Sequence, residues 1–138
     1  MRHILSFKTT CPDLFEYDHP RGYSICKFLW DELAQDGFNV QTLDNYRDIA
    51  WSVDCEIDGK KIFFFVGYLG TEVTDWQLIV CSGIGIIGRL LGRSDKNERI
   101  KLAKAIHAIL SKDSRFTALR WFSRYTDSAK DSWYPEPT

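Results

Sequence analysis

The most constraining feature of the chain is an alternating apolar and polar stretch that ends at Asp58-Gly59. In DIAWSVDCEI, residues 48–57, every second side chain is apolar, which is typical of a strand with one buried face. Asp-Gly is a strong signal for a two-residue hairpin turn, because such a turn needs a positive φ at both positions. The segment KKIFFFVGY that follows is therefore predicted to pair antiparallel with the first strand.

A two-residue turn fixes the register of this hairpin by counting outward from the turn. Asp54 then lies opposite Phe63, and Trp51 lies opposite Val66. One face collects six core side chains: Trp51, Val53, Cys55, Ile62, Phe64 and Val66. The other face has three polar side chains and two phenylalanines: Ser52, Asp54, Glu56, Phe63 and Phe65. We expect the two rings either to be covered by another element or to form an exposed amphipathic patch with the acids.

The segments around the hairpin predict helices and further strands. The spacing of apolar residues predicts helices over about residues 23–35 and 96–111. The segment TDWQLIVCS predicts a third strand, a meander neighbour of the hairpin through the loop GTEV. Either HILSFK or DLFEYD, on the two sides of Pro12, supplies a first strand. RFTALRWFSRY is predicted to form a short helix or a strand.

We therefore expect a single α+β domain over residues 1–138. Its antiparallel sheet has about four strands, its central hairpin spans residues 48–69, and its helices pack mainly on one face. A chain of 138 residues is long enough for one core and too short for two. No uncharged apolar run reaches about 18 residues and the start shows no signal-peptide pattern. We accordingly expect a cytoplasmic protein with no membrane partner.

Three glycines keep the G-x-G-x-x-G spacing of dinucleotide-binding turns: Gly83, Gly85 and Gly88. The context does not fit that motif, because the preceding strand belongs to an antiparallel meander and Gly92 interrupts the following helix after barely one turn. We expect no cofactor at this segment. The glycines are expected to permit close backbone packing or a bend. Three isoleucines between them are expected to be buried: Ile84, Ile86 and Ile87.

The residue types that catalyse reactions or hold metals form no local motif. None of the three histidines has a ligand at a spacing such as H-x-x-x-H, and the four cysteines form no C-x-x-C pair. No catalytic, metal or cofactor residue is predicted, and Cys26, Cys55 and Cys81 are expected to be buried thiols. The alternative is a small enzyme that uses strand carboxylates or a Cys–His pair assembled by the fold.

The net charge of −1 hides a separation of charge along the chain. Residues 31–58 hold eight acids against Arg47 alone, whereas residues 86–130 hold eleven Lys and Arg against four acids. The two segments attract each other in the fold, are simply solvated, or act as two functional poles. Nucleic-acid binding through the basic C-terminal half is a further alternative, although the pI near 6.3 argues against a dedicated nucleic-acid binder.

Several short motifs follow one another in a familiar order. They are FEYDHPRG, the helix ICKFLWDELAQDGF, an acid–aromatic strand with Asp48 and Trp51, a second acid–aromatic pair at residues 75–76, and a final aromatic segment at residues 120–122. This order resembles a group of small uncharacterised bacterial α+β proteins, from which the chain departs at Val53, where the group has an aromatic residue. In size, acidity and lack of a catalytic motif the chain is also similar to immunity proteins of polymorphic or contact-dependent toxin systems.

The resemblance to immunity proteins implies a non-enzymatic protein that neutralises one cognate toxin by binding it. It implies no catalytic residues. Acidic side chains steer association with a basic partner, such as a nuclease-like toxin, and aromatic rings supply a desolvated anchor. We therefore predict a partner-binding surface formed by Asp48, Asp54, Glu56, Asp58, Phe63 and Phe65.

Overall fold

The computed structural model describes residues 2–11, 21–69, 75–124 and 133–138. Within these residues the chain forms six strands and three helices. In chain order they are β1 (Ile4–Thr9), α1 (Tyr23–Gln35), β2 (Asn39–Tyr46), β3 (Ala50–Ile57), β4 (Lys60–Tyr68), β5 (Asp75–Ser82), α2 (Ile86–Leu90), α3 (Lys96–Lys112) and β6 (Phe116–Phe122). The strands form one antiparallel sheet in the order β2-β3-β4-β5-β1-β6.

β3 and β4 form the predicted hairpin in the predicted register. Asp58 has a φ of 52° and Gly59 a φ of 76°, so both turn residues adopt the left-handed conformation that a two-residue type I′ turn needs. The paired residues run from Ile57 opposite Lys60 to Trp51 opposite Val66. The turn therefore decides which side chains of both strands share a face.

The sheet has more strands than the four predicted, and the additional ones lie at its two edges. β2 was not predicted, because a bulge between Val40 and Leu43 breaks the alternation and its side chains are exposed or only partly buried. RFTALRWFSRY, for which the sequence allows a short helix or a strand, contains β6, which pairs with β1. β1 comes from HILSFK, whereas DLFEYD and the loop GTEV lie outside the described residues.

Both predicted long helices form, and they pack on one face of the sheet, which we call the core face. α1 has the predicted bounds, and α3 ends one residue later than predicted. The largest aliphatic side chains that the helices bury belong to one core with the inner side chains of the sheet: Ile25, Leu29, Leu33, Leu102, Ile106 and Leu110. We call the opposite face of the sheet the open face. No helix in the described part of the chain is long and apolar enough to cross a lipid bilayer.

The glycine-rich segment after β5 confirms one prediction and corrects another. A Cβ at Gly83 would lie 2.9 Å from the carbonyl carbon of Lys61, so the missing side chain permits a close backbone approach, as predicted. The predicted burial of the isoleucines is wrong, because Ile86 and Ile87 are 79% and 75% exposed and Ile84 is only partly buried. α3 already packs against β5, and the short helix α2 buries none of its residues.

Trp121 closes the core near the β6 edge of the sheet. Its indole N–H donates a hydrogen bond to Nδ1 of His107 at 3.0 Å, and its side chain is fully buried. The backbone of Trp121 also exchanges two hydrogen bonds with Tyr134, at 2.8 and 2.9 Å. Only a neutral imidazole can accept this hydrogen bond from the indole N–H, because both nitrogens of a protonated imidazole are donors. Burial lowers the pKa of His107, and the nearby charge of Glu136 opposes this shift.

We expect Gly83→Ala to lower the free energy of unfolding by about 1–3 kcal/mol, the usual cost of forcing an extra methyl group into a packed site. The new Cβ would meet the backbone of Lys61, which cannot rotate away as a side chain can. Gly85→Ala is the matched control, because nothing lies within 4 Å of its Cβ position. Urea denaturation of both variants tests this, and an equal effect at the two positions would contradict the close approach.

We also expect the free energy of unfolding to fall as the pH drops through the ordinary histidine pKa of about 6.5. Since the pKa of His107 is lower in the folded protein than in the unfolded chain, the unfolded chain takes up the proton first and is stabilised. His107→Gln does not titrate and should lose this part of the pH dependence. Urea denaturation between about pH 7.5 and 5.5, above the carboxylate range, measures the two slopes. Identical slopes would be inconsistent with this role of His107.

Candidate protein-binding surface

Three aromatic rings form a cluster on the open face of the sheet. The ring of Tyr46 from β2 stacks on that of Phe65 from β4, with centroids 4.7 Å apart and planes 10° from parallel. Tyr46 also lies 6.1 Å from the ring of Phe63. Both phenylalanines are partly buried, so each keeps some ring surface in contact with solvent. We call Tyr46, Phe63 and Phe65 the aromatic cluster.

The predicted acids on β3 lie directly beside this cluster. Asp54 is exposed and pairs across the hairpin with Phe63, and Glu56 pairs with Lys61. The exposed Asp44 of β2 lies opposite Ser52 and contributes a further carboxylate to the same face. The structure thus brings Asp54, Glu56 and the two predicted phenylalanines together, as the hairpin register requires.

The other two predicted acids lie in turns at opposite ends of β3. Asp48 is in the turn between β2 and β3, where it accepts a hydrogen bond from Nδ2 of Asn45 at 3.1 Å. Asp58 is in the β3–β4 turn. At about 3.3 Å of rise per residue, the two carboxylates are roughly 30 Å apart along the strand. They therefore mark the two ends of the acidic surface, while Asp54 and Glu56 lie between them.

The carboxylate of Asp54 is in an environment that disfavours its charge. Partial burial, the main cause, and the nearby charge of Asp44 raise the pKa of Asp54, and Lys61 offsets part of this rise. Burial beside aromatic rings removes water that would otherwise stabilise the carboxylate. The folded chain therefore maintains two neighbouring negative charges on this face at some expense of stability.

The acidic and basic segments of the chain are not paired with each other in the described residues. The ion pairs there are Lys27–Asp31, Lys60–Glu98, Arg99–Asp95 and Arg115–Asp113. Among residues 2–11, 21–69, 75–124 and 133–138, none of these pairs joins residues 31–58 to residues 86–130. Glu56 accepts one long hydrogen bond of 3.4 Å from Nε2 of Gln41. In the described part of the chain Asp44, Asp54 and Glu56 form no ion pair, and Lys61, opposite Glu56, is a cation close to them.

Three of the four cysteines are in surroundings that disfavour the reactive thiolate. Burial raises the pKa of Cys26, that of Cys55 to about 12 and that of Cys81 to about 11, so these thiols stay protonated at neutral pH. Cys26 and Cys55 are buried as predicted, whereas Cys81 lies on the open face opposite Phe63 and is partly buried. Within the described ranges no three His, Cys, Asp or Glu side chains come together as metal ligands.

A groove lies between α1 and β2. Its volume is about 250 Å³, and it is lined by Tyr23, Lys27, Trp30, Gln41 and Leu43. The lining contains no carboxylate, cysteine or histidine. The groove therefore does not coincide with any of the groups that the alternative enzyme hypothesis would need.

Tyr46 and Asp44 were not predicted as site residues, because β2 was not predicted. A signal for that strand exists in NYRD, residues 45–48. Oδ1 of Asn45 accepts a hydrogen bond from the backbone N–H of Asp48 at 2.8 Å, an interaction by which Asn commonly shapes a turn. Recognition of this second turn would have placed the preceding residues on a strand beside β3.

Comparison of the chain with known family models, with curated protein sequences and with solved structures gave no significant match.

We expect Asp54→Asn to raise the free energy of unfolding at pH 7. Because the pKa of Asp54 is raised in the folded state, its charge costs stability above that pKa, and the gain should vanish at acidic pH, where Asp54 is protonated. Asp58→Asn is the control, since it removes an equal charge from the turn and Asn also tolerates a positive φ. Urea denaturation at pH 7 and at about pH 3, below the usual aspartate range, compares the two variants. Equal gains would show that the effect is one of net charge.

Proposed function

We propose that the chain is a non-enzymatic binding protein whose open face recognises a basic protein. The observation that supports this most directly is the aromatic cluster, partly exposed and bordered by Asp44, Asp54 and Glu56. The helices α1 and α3 pack on the other face, so they do not compete with a partner for this surface.

The aromatic cluster has the properties of an interface anchor. Tyr and Phe rings provide a large contact area with few rotatable bonds, and tyrosine is enriched among the residues that contribute most to binding energy. The stacked pair of Tyr46 and Phe65 joins two strands, and Phe65 itself lies opposite Ile79 of β5. The rings are thus already held in place, which reduces the entropy lost when a partner covers them.

The surrounding carboxylates add selectivity for a basic partner. Charges at the rim of an interface mainly accelerate association and exclude partners of the same sign. Acids in positions that cost stability, such as Asp54, are expected where function rather than folding maintains them. A basic partner would relieve that cost, because its cations would favour the ionised carboxylate.

We further propose that the partner is a cognate bacterial toxin and that the chain is its immunity protein. Its size, its lack of a catalytic motif and its acidic binding surface support this assignment. A basic, nuclease-like toxin has the charge that this surface complements, and binding alone would neutralise it. No catalytic group on the chain is needed for that activity.

The proposal is tested with a partner captured on the immobilised chain from its own host and then purified. Expression of this partner alone should stop cell growth, and co-expression of the wild-type chain should restore growth. Asp54→Lys with Glu56→Lys should lower the association rate at low salt by about tenfold or more. Glu32→Lys with Asp36→Lys, the same charge change on α1 and at its C-cap, is the matched control and should leave the rate unchanged.

Two results would overturn the proposal. One is a captured partner that does not impair growth when expressed alone, because an immunity protein requires a toxic partner. The other is an association rate that is equal in both charge-reversal variants, because the open face would then not be the binding surface.

A further inference from the structure

The segment between β5 and α3 displays a compact group of large aliphatic side chains. Four of them, which we call the apolar tip, are highly exposed: Ile86 by 79%, Ile87 by 75%, Leu90 by 81% and Leu91 by 67%. Soluble monomers rarely expose contiguous apolar patches larger than a few hundred Å², and such patches usually mark an interaction site. The four side chains belong neither to the core nor to the proposed binding surface.

The four side chains lie on one side of a short helix. α2 continues into a turn in which Leu91 N–H donates to the carbonyl of Ile87 at 3.1 Å and Arg93 N–H donates to that of Gly88 at 3.0 Å. At 100° per residue, positions 86, 87, 90 and 91 fall within about 140° of the helix circumference. The segment therefore presents one apolar face rather than scattered side chains.

Both ends of the segment are fixed to the sheet and to α3. Ser82 Oγ donates to Oδ2 of Asp95 at 2.6 Å, which ties the residue before the segment to the residue after it. Oδ1 of Asp95 in turn accepts a hydrogen bond from Arg99 at 2.8 Å. Lys60 Nζ donates to the carbonyl of Ser94 at 2.8 Å and to Glu98 at 2.7 Å. The apolar tip thus projects from a rigid base.

The charges around the tip favour an anionic partner. Arg89 and Arg93 are exposed, and residues 83–94 contain no acid. The carboxylate of Asp95 is buried and paired with Arg99. At the same end of the sheet the exposed Asp58 is accompanied by the exposed Lys96, and Lys61 lies opposite Glu56. The surroundings of the tip are therefore positively charged.

The chemistry of the tip fits a lipid surface better than a protein surface. Residues that dominate protein interfaces are mainly Trp, Tyr and Arg, whereas leucine is under-represented there. A standard protein interface also takes about 20–30 residues from each partner, and this tip offers four large side chains. Aliphatic side chains on one helical face with arginine on another are typical of segments that lie in the bilayer interface.

We propose that the apolar tip inserts into the interfacial layer of a bilayer with anionic headgroups, while Arg89 and Arg93 contact those headgroups. This attaches the chain to the membrane surface without spanning it. The proposal replaces the expectation of no membrane partner, which rested on the lack of a spanning segment. It is independent of the proposed recognition of a basic protein, because none of its residues belongs to the aromatic cluster or its acids.

Vesicle flotation with the full chain tests this proposal. The wild-type chain should float with vesicles of phosphatidylcholine mixed with phosphatidylglycerol and bind vesicles of phosphatidylcholine alone about tenfold or more weakly. Ile87→Ser with Leu90→Ser should abolish flotation. Arg89→Gln with Arg93→Gln should abolish the preference for phosphatidylglycerol. These side chains are exposed, so the variants should unfold at the wild-type urea concentration.

Ile49→Ser is the matched control, because Ile49 is a 65% exposed aliphatic residue in the β2–β3 turn. It should float as the wild-type chain does. Failure of the folded wild-type chain to float with phosphatidylglycerol vesicles would overturn the proposal, as would equal flotation of Ile87→Ser with Leu90→Ser. Concentration-dependent self-association that this double variant abolishes, without vesicle binding, would instead assign the tip to an interface between copies of the chain.

Discussion

The left-handed backbone of Asp58 and Gly59 fixes the arrangement on which the rest of the structure depends. A two-residue turn allows only one register between β3 and β4, and a shift of one residue would exchange the two faces of a strand. In the observed register Val53, Cys55 and Phe64 point into the core. The same register places Asp54 and Phe63 together on the open face.

Because of this register, the buried apolar side chains of β3 and β4 lie mainly on the core face. α1 and α3 cover the core face, where most inner side chains of β1, β3, β4 and β5 are almost completely buried and Trp51 and Tyr68 are partly buried. The open face carries partly exposed aromatic rings and acids on β2, β3 and β4, whereas Ile4, Ala50 and Ser52 on the same face are buried. The stacked rings of Tyr46 and Phe65 and the raised pKa of Asp54 result from that arrangement.

The parts of the fold that were predicted from the sequence are those with strong local periodicity. The hairpin, α1 and α3 each repeat an apolar pattern over at least two turns or several alternations. Their secondary structure could therefore be predicted without knowledge of their tertiary contacts. β2 lacks such a pattern, because it lies at an edge and contains a bulge. Two members of the open-face surface, Tyr46 and Asp44, were missed with it. The burial of Ile86 and Ile87 was predicted wrongly, because hydrophobicity alone does not distinguish a core side chain from an exposed apolar surface.

The open face and the apolar tip differ in chemistry and lie on different elements. The open face combines acids with aromatic rings on β2, β3 and β4, whereas the apolar tip combines aliphatic side chains with arginine between β5 and α3. We propose a basic protein as the partner of the first surface and an anionic bilayer as that of the second, because these are the charges that the two compositions complement. Among the described residues no ion pair joins the acidic residues 31–58 to the basic residues 86–130.

The most direct test of this account is the pattern of nuclear Overhauser contacts across the β3–β4 hairpin in solution. Backbone contacts should join Asp54 to Phe63, and ring contacts should join Phe65 to Tyr46. Contacts of Asp54 with Phe64, which would show a register shifted by one residue, would contradict the account. Ring contacts of Phe65 with Leu29 would do so as well, because they would place that ring beneath α1 in the core.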